Sequence, residues 1–459
     1  MKLLVQKFGG SSLGSAEAIE RAIGVVRGAE LPALVVCSAS GDTTDRLLDC
    51  ARTAETGDAA GTRRLVDEIR HHHTRLLEEV PGAGSVEARA RVETLLEALE
   101  SLLRGVLLVR ESSLRTTDAI LAFGELLSST VLAAGIADGS LAALRDARTF
   151  VRTDAGFGQA SVDMAATREL AVQALLQPAQ AKGRGGGDEE GASSVIGVTQ
   201  GFLGATADGV TTTLGRGGSD YSAAIIAAAS AAERLEIWTD VSGIMSCDPR
   251  LVPAARSVSR LNYEEAAELA FFGARVLHPA TVQPALEAGI PVLVRNTMQP
   301  KDRGTRIDAG LGEQGVRAIA FRGGNRVITV QSSRAAATHG MLHRIFAAFD
   351  RHRISVDLLA TSETAVSATS AAATLPDGLL AELGEIGSLS VEAGQSIVSL
   401  VGQGLWKDPA LVAKVFTSLE PDPLRMISLG ASDTNLSFVL PDERAPEVVR
   451  RLHRAFFET

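Results

Sequence analysis

Two glycine-rich segments combine residue types that suit the chemistry of phosphate. One of them, Gly215 to Asp220, reads GRGGSD, follows a β-prone run and opens an alanine-dense helix. Glycines let backbone N–H groups approach a phosphate closely, and the N-terminus of a helix adds positive potential. Arg216 suits a phosphate or a carboxylate, and the serine and aspartate could contact a bound anion or its metal. The alternative is a tight turn capped by Ser219 or Asp220, without any ligand.

The other segment lies near the N-terminus, where a predicted strand from Lys2 to Gln6 leads into KFGGSS, Lys7 to Ser12. A lysine, two glycines and two hydroxyls at the end of a strand lie where open α/β sheets bind their ligands. The segment is not a Walker A loop, because GxxxxGK followed by Ser or Thr occurs nowhere in the chain. A dehydrogenase interpretation also fails, since no GxGxxG opens a helix after a strand.

The elements around these segments predict a parallel, doubly wound α/β sheet. An amphipathic helix, Ala16 to Arg27, separates the first strand from a second, Leu34 to Cys37. The second strand ends in the polar loop Ser38 to Asp45, which includes Thr44. Another strand, Leu235 to Thr239, follows the alanine-rich helix and ends in an acidic loop. Consecutive βα units with polar loops at the same sheet edge favour this architecture.

Three further features have ordinary explanations. Glu125 lies in a predicted helix, Thr117 to Leu127, and on its own is a common helix carboxylate. His71 to His73 are adjacent on a predicted helix, so they cannot easily converge on one metal ion. We expect an exposed helix face there and no metal site. Residues 181–192 are rich in glycine and lack periodicity, which predicts a flexible surface loop.

The composition indicates a soluble cytoplasmic protein with aliphatic cores. Of the 459 residues, 45% are hydrophobic but only 4% are aromatic, so Ala, Val, Leu and Ile must fill the cores. The net charge of −10 argues against a nucleic-acid-binding surface. The start of the sequence has only a short apolar run, so we expect neither a signal peptide nor an apolar stretch long enough to span a membrane. Cys37, Cys50 and Cys247 are too scattered for a disulfide framework or a zinc site, and buried thiols are expected.

The C-terminal part of the chain is predicted to form two ferredoxin-like modules after a linker. Pro, Asp and Gly accumulate in residues 299–315, which separate a first domain, residues 1–298, from residues 316–459. The order β-α-β-β then occurs twice, in modules of about 325–392 and 393–459. A further strand, Val316 to Phe321, could complete the second module, with the first inserted between its pieces. Neither module carries an obvious catalytic cluster, so ligand sensing or dimerisation is expected.

Four separated signatures share the order and spacing of a known family. They are KFGGSS at Lys7 to Ser12, TLGRGGSD at Thr213 to Asp220, WTDVSGI at Trp238 to Ile244, and FGARVLHP at Phe272 to Pro279. Together they resemble the aspartate kinases of the amino acid kinase family. The resemblance covers essentially the whole chain and implies a mainly parallel sheet flanked by helices, followed by tandem ACT domains.

Within that family the sequence is most similar to the monofunctional, lysine-sensitive type. We expect no dehydrogenase domain, and SVDLLATSE, Ser355 to Glu363, is similar to the effector segment of that type. The resemblance therefore implies inhibition by L-lysine, bound near Met341, Ser355, Val356, Asp357, Ser362 and Glu363. It also implies a homodimer, or a dimer of dimers, formed through the ACT domains.

The resemblance implies transfer of a phosphoryl group from ATP, with Mg²⁺, to L-aspartate, which opens lysine, threonine and methionine synthesis. Lys7 would stabilise the transferring group, and Asp220 would organise the site and its Mg²⁺-nucleotide. The implied aspartate-binding residues are Thr44, Glu125, Phe157, Arg216 and Ser219. The implied nucleotide-binding residues are Lys7, Gly9, Gly10, Gly218, Thr239, Asp240, Met245, Asp248, Arg250 and Arg275.

Two of these residues depart from the pattern of the family. Met245 stands where the family commonly has Tyr, although a methionine can still cover an adenine or a ribose by dispersion. Arg275 stands where the family has Lys, and it keeps the charge but presents a planar fork. Both departures bear on ATP affinity more than on the reaction.

Two other functions remain as alternatives. A kinase for another small acid, such as glutamate or N-acetylglutamate, would use the same fold, but the tandem ACT-like repeat argues against it. A non-catalytic amino-acid sensor is favoured by the departures at Met245 and Arg275. The presence of both Lys7 and Asp220 argues against a sensor that has lost turnover.

Overall fold

The computed structural model describes residues 2–140, 143–176, 195–273, 277, 279–310, 312, 314–332 and 340–458. The loop predicted at 181–192 lies outside these residues. The chain divides into two units, the first formed by Met1–Gly243 with His278–Ala309 and the second by Ile244–Leu277 with Gly310–Thr459. One division between the units, at Ala309 and Gly310, lies within the predicted linker, 299–315, whereas Ile244–Leu277 joins the second unit from within the predicted first domain. The predicted domain bounds remain a prediction.

The strands are β1 (Leu4–Phe8), β2 (Ala33–Cys37), β3 (Leu144–Arg145), β4 (Val195–Gln200), β5 (Leu203–Ala205), β6 (Thr211–Thr213), β7 (Arg234–Thr239), β8 (Arg260–Asn262), β9 (Val292–Asn296), β10 (Thr305–Asp308), β11 (Gly315–Gln331), β12 (Leu359–Thr361), β13 (Ala365–Ser370), β14 (Ser388–Gln403), β15 (Met426–Leu429) and β16 (Asn435–Pro441). The helices are α1 (Ala16–Arg27), α2 (Thr43–Glu55), α3 (Ala59–Glu79), α4 (Val86–Val109), α5 (Leu114–Ile136), α6 (Met164–Leu176), α7 (Gly218–Ser230), α8 (Tyr263–Phe271), α9 (Pro279–Glu287), α10 (Met341–Arg351), α11 (Asp377–Ile386), α12 (Pro409–Leu419) and α13 (Ala445–Phe457).

The strands of the first unit form a sheet in the order β3-β4-β2-β1-β7-β9-β10. Neighbouring strands from β3 to β9 run parallel, and β10 is antiparallel to β9. Phe8, the last residue of β1, lies opposite Cys37 of β2 and Trp238 of β7. The predicted parallel sheet is confirmed, and the carboxyl ends of β1, β2 and β7 share one edge.

Helix α5 is buried on almost every side between Ile120 and Ile136. It is long and apolar enough to cross a membrane, so the expectation that no stretch reaches this length was wrong. However, 83% of its apolar window is buried inside the protein. A helix that is hydrophobic on every side is the core helix of a large domain when protein surrounds it. The burial of α5 therefore explains its composition.

Helix α3 corrects the expectation for the histidine run. His71 is exposed, whereas His73 is fully buried, and its Nδ1 donates to the carbonyl oxygen of Ile69 at 2.9 Å. Burial lowers the pKa of His73 to about 4, so this imidazole is neutral at physiological pH. Successive helical residues point about 100° apart, so His71 and His73, two residues apart, lie on nearly opposite sides of the helix, one in solvent and the other in the core. All three cysteines are buried free thiols, as predicted.

In the second unit, the strands β12-β13-β11-β14-β16-β15 form one antiparallel sheet. The two long strands, β11 and β14, pair along their whole length and serve two separate cores. One core contains Ile328, Met341 and Leu383, and the other contains Ile319, Phe438 and Leu452. Each long strand thus contributes one half to each of two α/β modules.

Candidate functional site

Lys7 lies within β1, one residue before the end of the strand. The strand extends beyond the predicted Lys2 to Gln6 because Lys7 and Phe8 pair with β2 on one side and β7 on the other. The lysine is buried, and its Nζ lies 2.7 Å from Oδ1 of Asp220 in the first turn of α7. The structure therefore brings together the two residues for which catalytic roles were predicted.

The N-terminus of α7 is built from glycines, without a capping side chain. Gly217 precedes the helix in a left-handed conformation, with φ of +73°, and no side chain caps the first turn. This geometry excludes the tight turn capped by Ser219 or Asp220. A Cβ on Gly218 would lie 2.6 Å from Cδ2 of Phe202, and one on Gly201 would lie 2.7 Å from Cβ of Ser219. Glycine at both positions lets the start of α7 pack closely, with its side chains available for a ligand.

The loop after β1 packs backbone to backbone against the loop after β2. The N–H of Gly9 donates to the carbonyl oxygen of Trp238 at 3.0 Å, and the N–H of Gly41 donates to that of Gly10 at 3.0 Å. A Cβ on Gly10 would lie 3.0 Å from the carbonyl oxygen of Gly41. Close approach of backbones requires glycine at such a position. These contacts hold the predicted phosphate-binding loop at the carboxyl ends of the parallel strands.

Glu125 is an unusual carboxylate because it is only 3% exposed. Its Oε1 accepts a hydrogen bond from the N–H of Ala39 at 3.1 Å, and its Oε2 has no partner among the described residues. Burial raises the pKa of Glu125 to about 8, against the lowering effects of the Ala39 N–H and the Lys7 charge. A buried carboxylate with a free oxygen is suited to bind a cation such as an ammonium group.

The remaining residues of the predicted aspartate pocket are partly or fully accessible. Thr44 and Phe157 are half-buried, as is Ser219, whereas Arg216 is exposed. A Cβ on Gly124 would lie 2.8 Å from Cβ of Ala39 and 3.8 Å from Oγ1 of Thr44, so this glycine lets α5 approach α2. Glu125 on α5 and Thr44 on α2 therefore lie on neighbouring helices.

Asp118 organises this region and was missed by the sequence analysis. It is 1% exposed and lies two helical turns before Glu125 on α5. Its oxygens accept hydrogen bonds from the N–H of Gly158 at 3.0 and 3.1 Å, from the N–H of Thr213 at 3.0 Å, and from the Thr213 hydroxyl at 2.7 Å. Asp118 therefore ties α5 to the loop after Phe157 and to β6. No local pattern marks it, because its partners are remote in the sequence.

The predicted nucleotide-binding residues are distributed over both units. In the first unit, Thr239 is the last residue of β7 and Asp240 follows it. The Thr239 hydroxyl donates to Oδ1 of Asp240 at 3.0 Å. Met245, Asp248 and Arg250 belong to the second unit.

Within that unit Asp248 and Arg250 are bound to one another. Asp248 accepts from the backbone N–H of Arg250 at 2.9 Å and from its guanidinium at 2.7 Å, and this pairing lowers the pKa of Asp248. Met245 is half-buried and forms a β-bridge with Ser257. Arg275 lies outside the described residues.

Comparison with known proteins decides the family. The chain matches the amino acid kinase family over residues 2–296 and an ACT domain over residues 398–456. It is 38% identical to the lysine-sensitive aspartokinase 3 of Escherichia coli, over 100% of both chains. The chain belongs to the aspartokinases of the amino acid kinase family. The predicted recognition, fold class and enzyme class are confirmed.

Two solved structures of the aspartokinase III of E. coli resemble the fold described above. One is a complex with aspartate and ADP in the R-state, with 37% identity, a TM-score of 0.79, and coverage of 99% of this chain and 100% of that one. The other is a complex with lysine and aspartate in the T-state, with 37% identity, a TM-score of 0.80, and coverage of 100% of both chains.

The residues predicted to bind an effector lie in different environments in this aspartokinase. Met341, the first residue of α10, is 6% exposed and packs in the core with Ile328. Asp357 is paired with Arg322, whose Nη2 lies 2.5 Å from its Oδ2.

The other four effector residues are more accessible. Val356 is half-buried against the same core, whereas Ser355, Ser362 and Glu363 are exposed. The N–H of Ser362 donates to the carbonyl oxygen of Ala365 at 2.8 Å, which closes the turn that carries Glu363. The hydroxyls of Ser355 and Ser362 and the carboxylate of Glu363 are therefore polar groups that lie outside the core.

Proposed function

We propose that this aspartokinase transfers the γ-phosphoryl group of ATP to the side-chain carboxylate of L-aspartate. An oxygen of that carboxylate attacks the γ-phosphorus, the bond to the bridging oxygen of ADP breaks, and 4-phospho-L-aspartate and ADP are formed. The observation that carries this proposal is the buried pair of Lys7 and Asp220 at the carboxyl end of β1. This product opens the synthesis of lysine, threonine and methionine.

Lys7 is assigned the role of stabilising the transferring phosphoryl group. Phosphoryl transfer depends on alignment and on compensation of negative charge, more than on a covalent helper. The attacking carboxylate of aspartate is ionised near neutral pH, so the reaction needs no general base. The buried ammonium of Lys7 therefore supplies what the reaction requires, a fixed positive charge in a site with little water.

The aspartate substrate carries two carboxylates and one ammonium, so its pocket needs groups of both signs. Glu125 is assigned to the ammonium, since its Oε2 lacks a partner among the described residues. Arg216 and Ser219 are assigned to the α-carboxylate, which a guanidinium and a helix N-terminus both suit. Thr44 and Phe157 would line the pocket.

The phosphates and their metal are assigned to the glycine loops and to Asp220. Gly10 would donate its backbone N–H to a phosphate oxygen, whereas Gly9 and Gly218, whose N–H groups bond to the carbonyl oxygens of Trp238 and Gly215, would let the phosphates approach the backbone closely. Among the described residues, no three His, Cys, Asp or Glu side chains group into a metal site of their own. A Mg²⁺ ion carried on ATP needs only one or two carboxylates, which Asp220 fits. When bound, Mg²⁺ neutralises part of the charge on the phosphates.

The nucleoside part of ATP is assigned to residues that follow β7. These are Thr239, Asp240, Met245, Asp248, Arg250 and Arg275. Asp248 and Arg250 are paired with one another, so together they present both a carboxylate and a guanidinium to a ligand. Met245 supplies flexible apolar contact in place of an aromatic ring.

A substrate panel tests the proposed reaction. ADP formation is followed with L-aspartate, L-glutamate and N-acetyl-L-glutamate as separate acceptors, at equal MgATP concentration. We expect turnover with L-aspartate and at least about a hundredfold lower kcat/KM with the other two, because their carboxylates would miss the reacting position. Turnover with glutamate but not with aspartate would overturn the substrate assignment, and no turnover with any acceptor would favour an amino-acid sensor.

For regulation, we propose that L-lysine binds the first ACT module and inhibits the enzyme. The accessible Ser355, Ser362 and Glu363, together with Asp357, offer oxygens for two ammonium groups. ACT modules commonly pair across subunits, so a homodimer or a dimer of dimers is the proposed assembly. The proposed location is the cytoplasm, where ATP and amino acids are available.

A further inference from the structure

Ser246, His453 and Glu458 form a connected hydrogen-bonded row in the second unit. Oγ of Ser246 lies 3.0 Å from Nε2 of His453, and Nδ1 of His453 lies 2.8 Å from Oε1 of Glu458. His453 is fully buried and Ser246 is 1% exposed. The row connects the segment after Met245 to the last helix, α13, and the sequence analysis assigned no role to any of its members.

The row resembles the Ser-His-acid order of hydrolases, but its environment excludes that function. A nucleophilic serine must be reachable by a substrate, whereas the Ser246 side chain is enclosed. Its Oγ also accepts a hydrogen bond from the N–H of Arg256 at 3.0 Å. The row is therefore a structural connection, and its role depends on the two segments that it joins.

The segment from Ile244 to Val258 is held by α13 at three points. Besides the contact of His453 with Ser246, Nε of Arg450 donates to the carbonyl oxygen of Leu251 at 3.4 Å. The guanidinium of Arg256 lies 5.8 Å from the centre of the Phe457 ring. Residues 450, 453 and 457 are spaced by three and four, so they lie on one face of the helix. One face of α13 thus contacts this segment at Ser246, Leu251 and Arg256.

The same segment is built into the core of the second module. Cys247 and Val252 are buried with Ile319, Phe438 and Leu452. The N–H of Ile319 donates to the carbonyl oxygen of Ser246 at 2.8 Å. Met245 and Asp248 flank the two anchored residues Ser246 and Cys247. A shift of α13 would therefore displace residues proposed to contact the nucleotide.

We infer that His453 is a positioning residue for nucleotide binding, through which the last helix of the second ACT module fixes the segment Met245 to Arg250. The inference rests on the proposed nucleotide role of that segment. His453 and the N–H of Arg256 bond to the Ser246 hydroxyl, and the N–H of Ile319 bonds to its carbonyl oxygen, so both the side chain and the backbone of Ser246 are held. Glu458 orients the imidazole by accepting from Nδ1, which leaves Nε2 to accept from the Ser246 hydroxyl.

Two substitutions separate this role from general packing. In His453→Gln the side-chain amide reaches the position of Nε2 and can still bond to Ser246. In His453→Asn the shorter amide reaches the position of Nδ1, so the contact with Ser246 is lost. As a matched control, Ser399→Ala removes a buried hydroxyl pair with Ser437, 2.5 Å apart, in the sheet of the same module.

The experiment measures KM for ATP, KM for aspartate and kcat for the full chain, with MgADP binding by calorimetry and thermal unfolding alongside. We expect His453→Asn and Ser246→Ala to raise KM for ATP and the dissociation constant of MgADP by about three- to tenfold, the usual range for one lost hydrogen bond. KM for aspartate should change less than about twofold, and His453→Gln should stay near the wild type. Ser399→Ala should lower the melting temperature without changing nucleotide affinity.

The outcomes distinguish this inference from the proposed function. Equal changes in both KM values, or equal effects of the Gln and Asn variants, would overturn the positioning role. Unchanged MgADP affinity in His453→Asn and Ser246→Ala would do the same, whether or not the melting temperature falls. Failure of the wild type to phosphorylate aspartate would instead refute the proposed reaction, and the calorimetry would still decide the role of His453.

Discussion

Lys7 and Asp220 form an ion pair across the centre of the catalytic unit, with Nζ 2.7 Å from Oδ1. Their side chains are only 10% and 18% exposed, so each charge compensates the other in a place where water screens poorly. Asp220 enters from the first turn of α7 and Lys7 from the end of β1. The pair orients the ammonium group of Lys7 before any phosphate binds.

The first prediction concerns the charge of Lys7. Lys7→Ala should lower kcat by about a hundred- to a thousandfold, the typical loss when a preorganised electrostatic group is removed. The control is Lys2→Ala, in the exposed segment just before the same strand, where Nζ lies 3.3 Å from Glu233. An exposed pair is worth about 0–1 kcal/mol, so that variant should keep its activity. Activity of Lys7→Ala within threefold of Lys2→Ala, measured by steady-state kinetics, would refute the assigned role.

The second prediction follows from the pKa of about 8 that burial gives Glu125. Because this value is above that of an exposed carboxyl, Glu125 is neutral in the empty enzyme below about pH 8. Its protonated form stabilises the folded state at low pH, and that contribution is lost as the pH rises toward 8. An ammonium group binds the ionised form, so aspartate binding should improve over the same range.

The measurement is the pH profile of kcat/KM for aspartate in the wild type and in Glu125→Gln. In the wild type the value should rise by about tenfold per pH unit below the pKa and then level off, as expected for an essential base of the free enzyme. Glu125→Gln should have a lower value without this rise. A rise that persists unchanged in Glu125→Gln would show that another group titrates.

A third prediction concerns Asp118, which holds the loop after Phe157 and the strand before Arg216. Asp118→Asn keeps the size of the side chain but replaces one acceptor by a donor that faces N–H groups. We expect KM for aspartate to rise by about tenfold or more, since each lost bond to a charged group is worth about 1.5–3 kcal/mol, with a smaller change in KM for ATP. Asp146→Asn, which breaks an ion pair with Arg148 in the same unit, is the control and should leave KM for aspartate unchanged. Equal effects of both variants would mean that Asp118 acts on stability alone.

The fourth prediction concerns lysine inhibition and the pair of Asp357 with Arg322. An ammonium group of the effector must compete with Arg322 for this carboxylate, because their atoms are 2.5 Å apart. Asp357→Ala should therefore abolish or weaken inhibition, whereas Arg322→Ala should preserve or strengthen it by freeing the carboxylate. Lysine titrations of activity decide between these outcomes. Equal loss of inhibition in both variants would show that the ion pair matters only for the fold, and inhibition by threonine alone would exclude lysine as the effector.

The local sequence contained most of the secondary structure and the strand-end loops, because both depend on short-range patterns. Helix α1 spans Ala16 to Arg27 as predicted, and β7 begins one residue before its predicted start. The extension of β1 through Lys7 and Phe8 could not be predicted, since it depends on pairing with Cys37 and Trp238. Parallel pairing is a property of the assembled sheet, which no single strand encodes.

Contacts between remote residues account for the features that the sequence left open. Asp118 looks like an ordinary residue near a helix start until Gly158 and Thr213 are placed beside it. The burial of Met341 depends on the amphipathic face of α10 and on its partner Ile328 in strand β11, and its predicted effector contact stays a prediction. The contact of His453 could not be predicted from the sequence, because its partner, Ser246, is remote from it along the chain.

The most direct test of the central claim is to trap the product with hydroxylamine. Purified enzyme is incubated with MgATP, L-aspartate and hydroxylamine, which converts an acyl phosphate into a hydroxamate, and the product is identified by mass spectrometry beside Lys7→Ala. We predict ATP-dependent aspartate 4-hydroxamate from the wild type, in step with ADP, and almost none from Lys7→Ala. ADP release without the hydroxamate, or a hydroxamate formed only from another acid, would contradict the assignment of this site to aspartate phosphorylation.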